Sequence, residues 1–222
     1  MRLPLTGHGA REIVLAAVAS LVCAAALWAL WPPLVALPTA GFLYVLAFFR
    51  DPCRVPEETP LPDGALLSPA DGTVDFIGEV DEPLLGGRCL KVSIFLSIFD
   101  VHLNRAPLSG TVEKVDYRPG EYLDARREDC SGRNEANAVV IAGSAPGGAA
   151  VRVLVRQISG AIARRIICAP REGDGVTIGE RIGMIKFGSR TDLCVPVEQA
   201  VELKAMLGQH VSAGHTLMGV MK

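Results

Sequence analysis

The sequence predicts a mainly β fold, an antiparallel sandwich or barrel, carried behind an N-terminal pair of apolar helices. Two observations carry the β prediction. After residue 64, short runs rich in valine and isoleucine alternate with glycine turns every 8–15 residues. Beyond residue 50 no long amphipathic helix is legible, and Glu198 to Leu207 has room for three helical turns at most. A third observation concerns the first 49 residues, which hold two apolar stretches split by Pro32-Pro33.

The first stretch, Ile13 to Trp31, has no charged residue, and as a helix it reaches roughly 28 Å, close to the ~30 Å hydrocarbon thickness of a bilayer. Leu34 to Phe49 reaches about 24 Å and is interrupted by Pro38 and Gly41, so it either spans or dips in and returns. A cleaved signal peptide is the competing reading. The first run exceeds the usual 7–15 apolar residues, and no small-residue cleavage pattern separates it from the second. Arg2 and Arg11 precede the pair, and Arg50 and Arg54 follow it, which places both ends on the cytoplasmic side. Residues 1–49 therefore read as a membrane hairpin anchor. Pro52, Pro56, Pro60 and Pro62 make 50–64 an extended linker, and 65–222 a single β-rich domain.

Within that domain, strands are expected over Gly72 to Val80, Leu90 to Leu96, Gly110 to Val115, Ala138 to Ala142, Val151 to Ile158 and Ile162 to Ala169. Two internal echoes refine the picture. Gly72-Thr73-Val74 recurs as Gly110-Thr111-Val112, and Gly173 to Gly179 parallels Gly208 to Gly214 in a Gly-x-x-Val-x-x-Gly form. That form resembles the strand-turn units of lipoyl- and biotinyl-type barrel-sandwich domains. Two repeats are too few for a solenoid, so a pseudo-symmetric, barrel-sandwich-like antiparallel β domain fits better.

Composition narrows the function classes. The 222 residues carry a formal charge of −2, with neither the basic excess of a nucleic-acid binder nor an acidic tail. The six cysteines are scattered without a Cys-x-x-Cys pair, unlike a zinc site or a disulfide framework; they read as small buried hydrophobes, with Cys23 in the membrane.

Three positions bear on chemistry. Gly188-Ser189 stands between two apolar runs; alone it is a common turn dipeptide. Asp71 lies in Ser68-Pro69-Ala70-Asp71-Gly72, where Asp-Gly is also an ordinary turn pair. His102 follows an apolar strand in Phe99-Asp100-Val101-His102, and a lone histidine is more often structural than catalytic. Together they supply a nucleophile, a base and an acid that orients the base. A serine hydroxyl can attack the carbonyl before it, turning amide into ester. β-Elimination of that ester leaves dehydroalanine, which hydrolyses to a pyruvoyl group at the new N-terminus.

The stretches Gly160 to Ile166, Glu172-Gly173-Asp174 and Gly179 to Arg190 resemble the shorter-chain branch of the pyruvoyl-dependent phosphatidylserine decarboxylases. Phe48-Phe49-Arg50-Asp51-Pro52, Ser68 to Gly72, Asp100-Val101-His102 and Asn134-Glu135-Ala136-Asn137 match in the same order. The resemblance covers about residues 48–196. It implies self-cleavage between Gly188 and Ser189 into a large chain, 1–188, and a small chain, 189–222, possessing a pyruvoyl group derived from Ser189. That group would form a Schiff base with phosphatidylserine and serve as electron sink for loss of CO₂, with neither metal nor pyridoxal phosphate. His102 and Asp71 are implied as catalytic, and Arg164 and Arg165 are candidates for the lipid phosphate. Longer-chain relatives carry a second histidine where this chain has Arg105, which leaves the base for maturation open between groups. The implied partners are the bilayer, the protein's own two chains joined as a heterodimer, and further copies in a larger oligomer. Two other readings stay open here: a membrane-tethered carrier modified on Lys186, and a non-catalytic membrane adaptor. An ether lipid is an alternative substrate to the diacyl one.

Overall fold

A computed structural model of the chain describes residues 4–127, 129–161, 165–186, 189–199 and 201–222. It forms two compact units, Met1–Cys53 and Arg54–Lys222.

In the first unit, helix α1 (Ala10–Leu30) runs to Trp31, whose extended backbone ends it, and the turn Pro32–Val35 leads into helix α2 (Ala36–Phe48). Proline at the start of that turn costs nothing there, since its missing N–H would have no helical partner. No residue of α1 is buried, and the helical stretch Gly7–Leu30 is long and apolar enough to cross a membrane. At 13 residues α2 is shorter than a spanning helix needs. The two ends of the hairpin are tied together: Thr6 N–H donates to Phe49 O at 3.0 Å and Asp51 N–H to Pro4 O at 2.7 Å. Gly9 permits this closure, since a Cβ there would lie 2.2 Å from the Phe49 ring.

The second unit is an antiparallel β structure, as its alternating apolar runs require. Its strands are β1 (Ala65–Leu67), β2 (Gly72–Glu82), β3 (Gly87–Leu96), β4 (Leu103–Arg105), β5 (Gly110–Arg118), β6 (Ala136–Ser144) and β7 (Ala150–Ile158). These are followed by β8 (Ile166–Cys168), β9 (Gly175–Val176), β10 (Arg181–Ile185), β11 (Ser189–Pro196), β12 (Val201–Leu203), β13 (His210–Val211) and β14 (Leu217–Met221). Eight of them form one curled sheet in the order β13-β2-β3-β11-β7-β6-β5-β9. Two three-stranded sheets, β1-β14-β12 and β4-β10-β8, complete the fold. The main core lies on one face of the large sheet, where Val74, Ile94, Val139, Ile141, Val153, Leu193 and Val195 meet Ile182 and Met218 of the small sheets. The opposite face carries a smaller cluster with Cys89, Val140, Leu154 and Cys194. Because strand side chains alternate, β11 directs Ser189, Thr191, Leu193 and Val195 to the core face, and Arg190, Asp192 and Cys194 to the other.

The sequence echoes are a structural repeat. Val112 exchanges hydrogen bonds with the turn at Gly173-Asp174, and Val74 does the same with Gly208-Gln209. Two-residue strands then pair in equivalent places, β9 with the start of β5 and β13 with the start of β2. All four bounding glycines have φ between 67° and 90°, which a side chain would strain.

Two expectations are narrowed. Glu198 to Leu207 forms a single turn at Val197–Gln199 followed by β12, because pairing with β14 satisfies a backbone too short to hold a helix alone. Among the described residues of Ile162 to Ala169 the strand is Ile166–Cys168, and 162–164 lie outside the described residues. The cysteines divide: Cys89, Cys130 and Cys194 are buried, whereas Cys23 and Cys53 are exposed, and all six are free thiols.

Candidate active site

Ser189 opens β11 between two partners. It pairs with Leu96 of β3, and the next residue, Arg190, pairs with Ile158 of β7. The Ser189 side chain is fully buried and its Oγ has no hydrogen-bond partner among the described residues. A buried hydroxyl left unpaired costs free energy and calls for an explanation; Ser93, Ser131 and Ser159 share the feature, and Ser189 differs from them in following Gly188 at a motif. Phe187 and Gly188 lie outside the described residues, so the candidate bond is located by its flanks.

The flank before the bond runs beside His102. Ile185, the last residue of β10, donates its N–H to the His102 carbonyl at 3.1 Å, and four residues later the chain reaches Ser189. The His102 imidazole is fully buried, with Nδ1 2.9 Å from the Asp100 carbonyl. A carbonyl only accepts, so Nδ1 carries a proton, and in the neutral imidazole the lone pair then falls on Nε2. The main chain thereby sets the tautomer, a task that the sequence had suggested for Asp71. Asp100 is itself fixed: Oδ2 accepts from Ser97 N–H and Oγ at 2.8 and 2.7 Å, and Oδ1 lies 3.0 Å from His210 Nε2. Burial pushes the Asp100 carboxyl up, but the hydrogen bonds from Ser97 and His210 outweigh it and hold it below the usual carboxylate range.

Asp71 is placed by the repeat. Its Oδ1 accepts from Ala213 N–H at 2.8 Å, just as Ser109 Oγ accepts from Ile178 N–H at 2.9 Å in the other half. Asp71 thus performs a turn function that a serine performs at the equivalent site. What differs is charge: Oδ2 is paired with Arg54, and burial, reinforced by Asp100, raises the carboxyl above its ordinary range despite Ala213 and Arg54.

Beneath Ser189 runs a chain of buried amides. Asn104 Nδ2 donates to Thr191 Oγ1 at 2.9 Å, Gln157 Nε2 to Asn104 Oδ1 at 2.9 Å, and Asn137 Nδ2 to Gln157 Oε1 at 3.2 Å. This network joins β4, β11, β7 and β6 through side chains no more than 3 % exposed. Gly183 makes room for it, since a Cβ there would lie 2.7 Å from Gln157 Nε2 and 2.1 Å from Ile167 O. Asn104, Thr191 and Asn137 lie in the stretches around the His102, Ser189 and Asn134 motifs but had no role assigned to them, and Gln157 lies in no motif. The signal was present, however: Gln157 shares the inward parity of Val151, Val153 and Val155, where an apolar residue is expected.

The remaining candidates are less central. Arg165 is exposed and its carbonyl accepts from Lys186 N–H at 3.2 Å, while Arg164 lies outside the described residues. Arg105 directs Nη1 to the Gly179 carbonyl at 2.8 Å. Lys186 is buried, which is the wrong setting for a carrier lysine that must swing through solvent. Beside Leu96, the pairing partner of Ser189, a mainly apolar pocket of about 180 Å³ is lined by Phe95, Ile98, Ala125 and Ala161 together with Asp124 and Arg126. A larger cavity of about 440 Å³, lined by Lys91, Arg156 and Asp192, opens on the opposite face of the sheet from Ser189. Among the described residues no cluster of three His, Cys, Asp or Glu side chains is arranged to hold a metal.

Comparison with known proteins gives the family. Residues 42–219 match the family model described as phosphatidylserine decarboxylase. A relative from Geotalea uraniireducens is 39 % identical, covering 98 % of this chain and 97 % of its own. One from Geobacter sulfurreducens is 41 % identical with the same coverage, and one from Salinibacter ruber 47 % identical over 87 % of this chain and 85 % of its own. All three are named phosphatidylserine decarboxylase proenzyme.

Proposed function

The chain belongs to the phosphatidylserine decarboxylase family and is a carboxy-lyase, and from that premise we propose that it matures by cutting itself between Gly188 and Ser189 and then decarboxylates phosphatidylserine at the membrane surface. The observation that carries this reading is the buried, unpartnered Ser189 Oγ at the head of β11. His102 Nε2 takes the Ser189 proton as Oγ attacks the Gly188 carbonyl, a general-base contribution of ~10²–10⁴ in rate. The amide nitrogen of Ser189 is the leaving group, and the ester formed is lost by β-elimination. The relatives' designation as proenzymes agrees with a product of two chains.

The residues fit the implied pyruvoyl group, because its formation begins with a serine hydroxyl not committed to another hydrogen bond and ends with water hydrolysing dehydroalanine and releasing ammonia. When formed, that group supplies the electron sink for decarboxylation, without pyridoxal phosphate or metal. The chain's own side chains do the rest. His102 returns a proton to the carbon that loses CO₂, and Asp71 is assigned a catalytic role other than fixing the His102 tautomer. Arg164 and Arg165 are assigned to the lipid phosphate. A phosphoserine headgroup carried by a diacyl lipid is the substrate, with an ether lipid as the alternative backbone. The anchor is residues 1–49, the linker 50–64 and the catalytic domain 65–222, on the cytoplasmic side. The tied ends of the hairpin support this side, since they put its arginine-bearing flanks together. The two chains stay associated as a heterodimer, because β11 is hydrogen-bonded to β3 and β7 of the large chain; further oligomers are compatible with this.

Electrophoresis under denaturing conditions tests the proposal. Mature protein should give chains of about 20 and 3.5 kDa, the shares of 23.5 kDa that 188 and 34 residues carry. Ser189→Ala should stay in one piece without activity. A cleaved Ser189→Ala chain, or active wild type that is uncut with its serine intact, overturns the mechanism.

A further inference from the structure

Two loop tips beside the site are apolar where loop tips are normally polar. Ile98 and Phe99 follow β3 and are 38 % and 70 % exposed; Met206 and Leu207 precede β13 and are each 67 % exposed. None of the four belongs to the main core cluster. The tips are neighbours. Gly208 N–H donates to Val74 O and Val74 N–H to Gln209 O, while Val74 pairs with Ile94 of β3. Thr73 stands between His210 and Phe95, and the His210–Asp100 contact joins the two loops directly. Both therefore hang from the same end of β2 and β3, the end at which Leu96 pairs with Ser189.

We infer that Ile98, Phe99, Met206 and Leu207 form a rim on the catalytic unit that inserts into the lipid bilayer, separately from the N-terminal hairpin. The inference rests on the reading of Ser189 as the reacting centre. A diacyl lipid keeps its chains in the bilayer while its headgroup is decarboxylated, so the mouth of the site must meet the bilayer surface. Apolar side chains at that mouth gain by entering the acyl region, and they draw the headgroup's scissile carboxylate to the depth of Ser189. Ile98 links rim and site, since it also lines the 180 Å³ mainly apolar pocket that Leu96 borders. Four side chains on loops make a reversible contact, unlike a spanning helix. Their effect is on productive engagement of bilayer lipid.

The test uses the full chain carrying Phe99→Asp and Leu207→Asp. Self-cleavage and turnover of a water-soluble dibutyryl phosphatidylserine should be unchanged, while kcat/KM for phosphatidylserine in vesicles should fall about tenfold or more, or ~1.4 kcal/mol of lost engagement. Equal activity on vesicles overturns the inference. Equal loss on both substrates also overturns it, by assigning the loops to catalysis or folding. A wild type inactive on both substrates, or uncut, sinks the functional reading itself, so the two failures are distinguishable. As a second measurement, Leu207→Trp in a Trp28→Phe, Trp31→Phe chain should be quenched by vesicles of acyl-brominated phosphatidylcholine and phosphatidylserine. Absence of quenching, whether the tryptophan is in water or covered by protein, places the rim away from lipid and overturns the proposal.

Discussion

Asn104 shows how a single side chain supports the site without being its nucleophile or base. It accepts from Gln157 and donates to Thr191, two residues from Ser189, so its removal takes from Thr191 Oγ1 its buried partner and leaves Gln157 Nε2 with the Ile167 carbonyl alone. Asn104→Leu should destabilise the uncleavable Ser189→Ala form by about 1–3 kcal/mol, read from its urea midpoint. In the cleavable chain the same change should slow maturation, measured as the cut fraction over time. Asp100 supplies a pH test. Its folded-state carboxyl lies below its ordinary range, so it contributes stability above the unfolded value near ~4, and that contribution is lost as pH falls through the folded value. The melting-temperature gap between wild type and Asp100→Asn should therefore be widest above about pH 5 and close toward pH 3. A gap that stays constant would show that the Ser97 and His210 contacts do not favour the ionised carboxyl over the protonated one.

Among elements, β10 and β11 matter most, since the candidate bond lies between them. At Gly183 in β10 a methyl would meet a backbone carbonyl of β8 as well as Gln157, and neither can withdraw cheaply. Gly183→Ala should cost roughly 1–3 kcal/mol and leave much of the chain uncut, with thermal melting and electrophoresis as the readouts. The outer face of the large sheet predicts chemical inertness. Cys89 on β3 is buried, and burial, with nearby acids, pushes its thiol up to about 11; Cys194 on β11 is pushed higher still, chiefly by burial. Alkylation of folded protein at pH 8 should therefore mark Cys53 and spare both, as peptide mapping would show. Rapid labelling of Cys194 would mean that the sheet opens.

For the whole molecule, the main core cluster lies entirely within Arg54–Lys222. A chain lacking residues 1–49 should fold with a single cooperative melt and be released from membranes by carbonate, whereas the intact protein should require detergent. Detergent-dependent extraction of the shortened chain would reveal a second strong anchor, which the reversible loop rim is not.

How much of this was legible depends on what kind of interaction carries the information. Local pattern and composition foretold the apolar hairpin, most of the strands and the paired glycine turns, because burial periodicity and positive φ are written in neighbouring residues. The Gly188-Ser189, His102 and Asp71 motifs were legible as motifs, and their order identified the family. The sequence alone did not show that Asp71 repeats the turn role of Ser109, that the Asp100 carbonyl sets the His102 tautomer, or that Asn104, Gln157 and Asn137 brace Thr191. Nor did it show that residues 98–99 and 206–207 share one end of a sheet. Those relations join positions from two to more than one hundred residues apart, through strand register and hydrogen-bond geometry that only the folded sheet establishes.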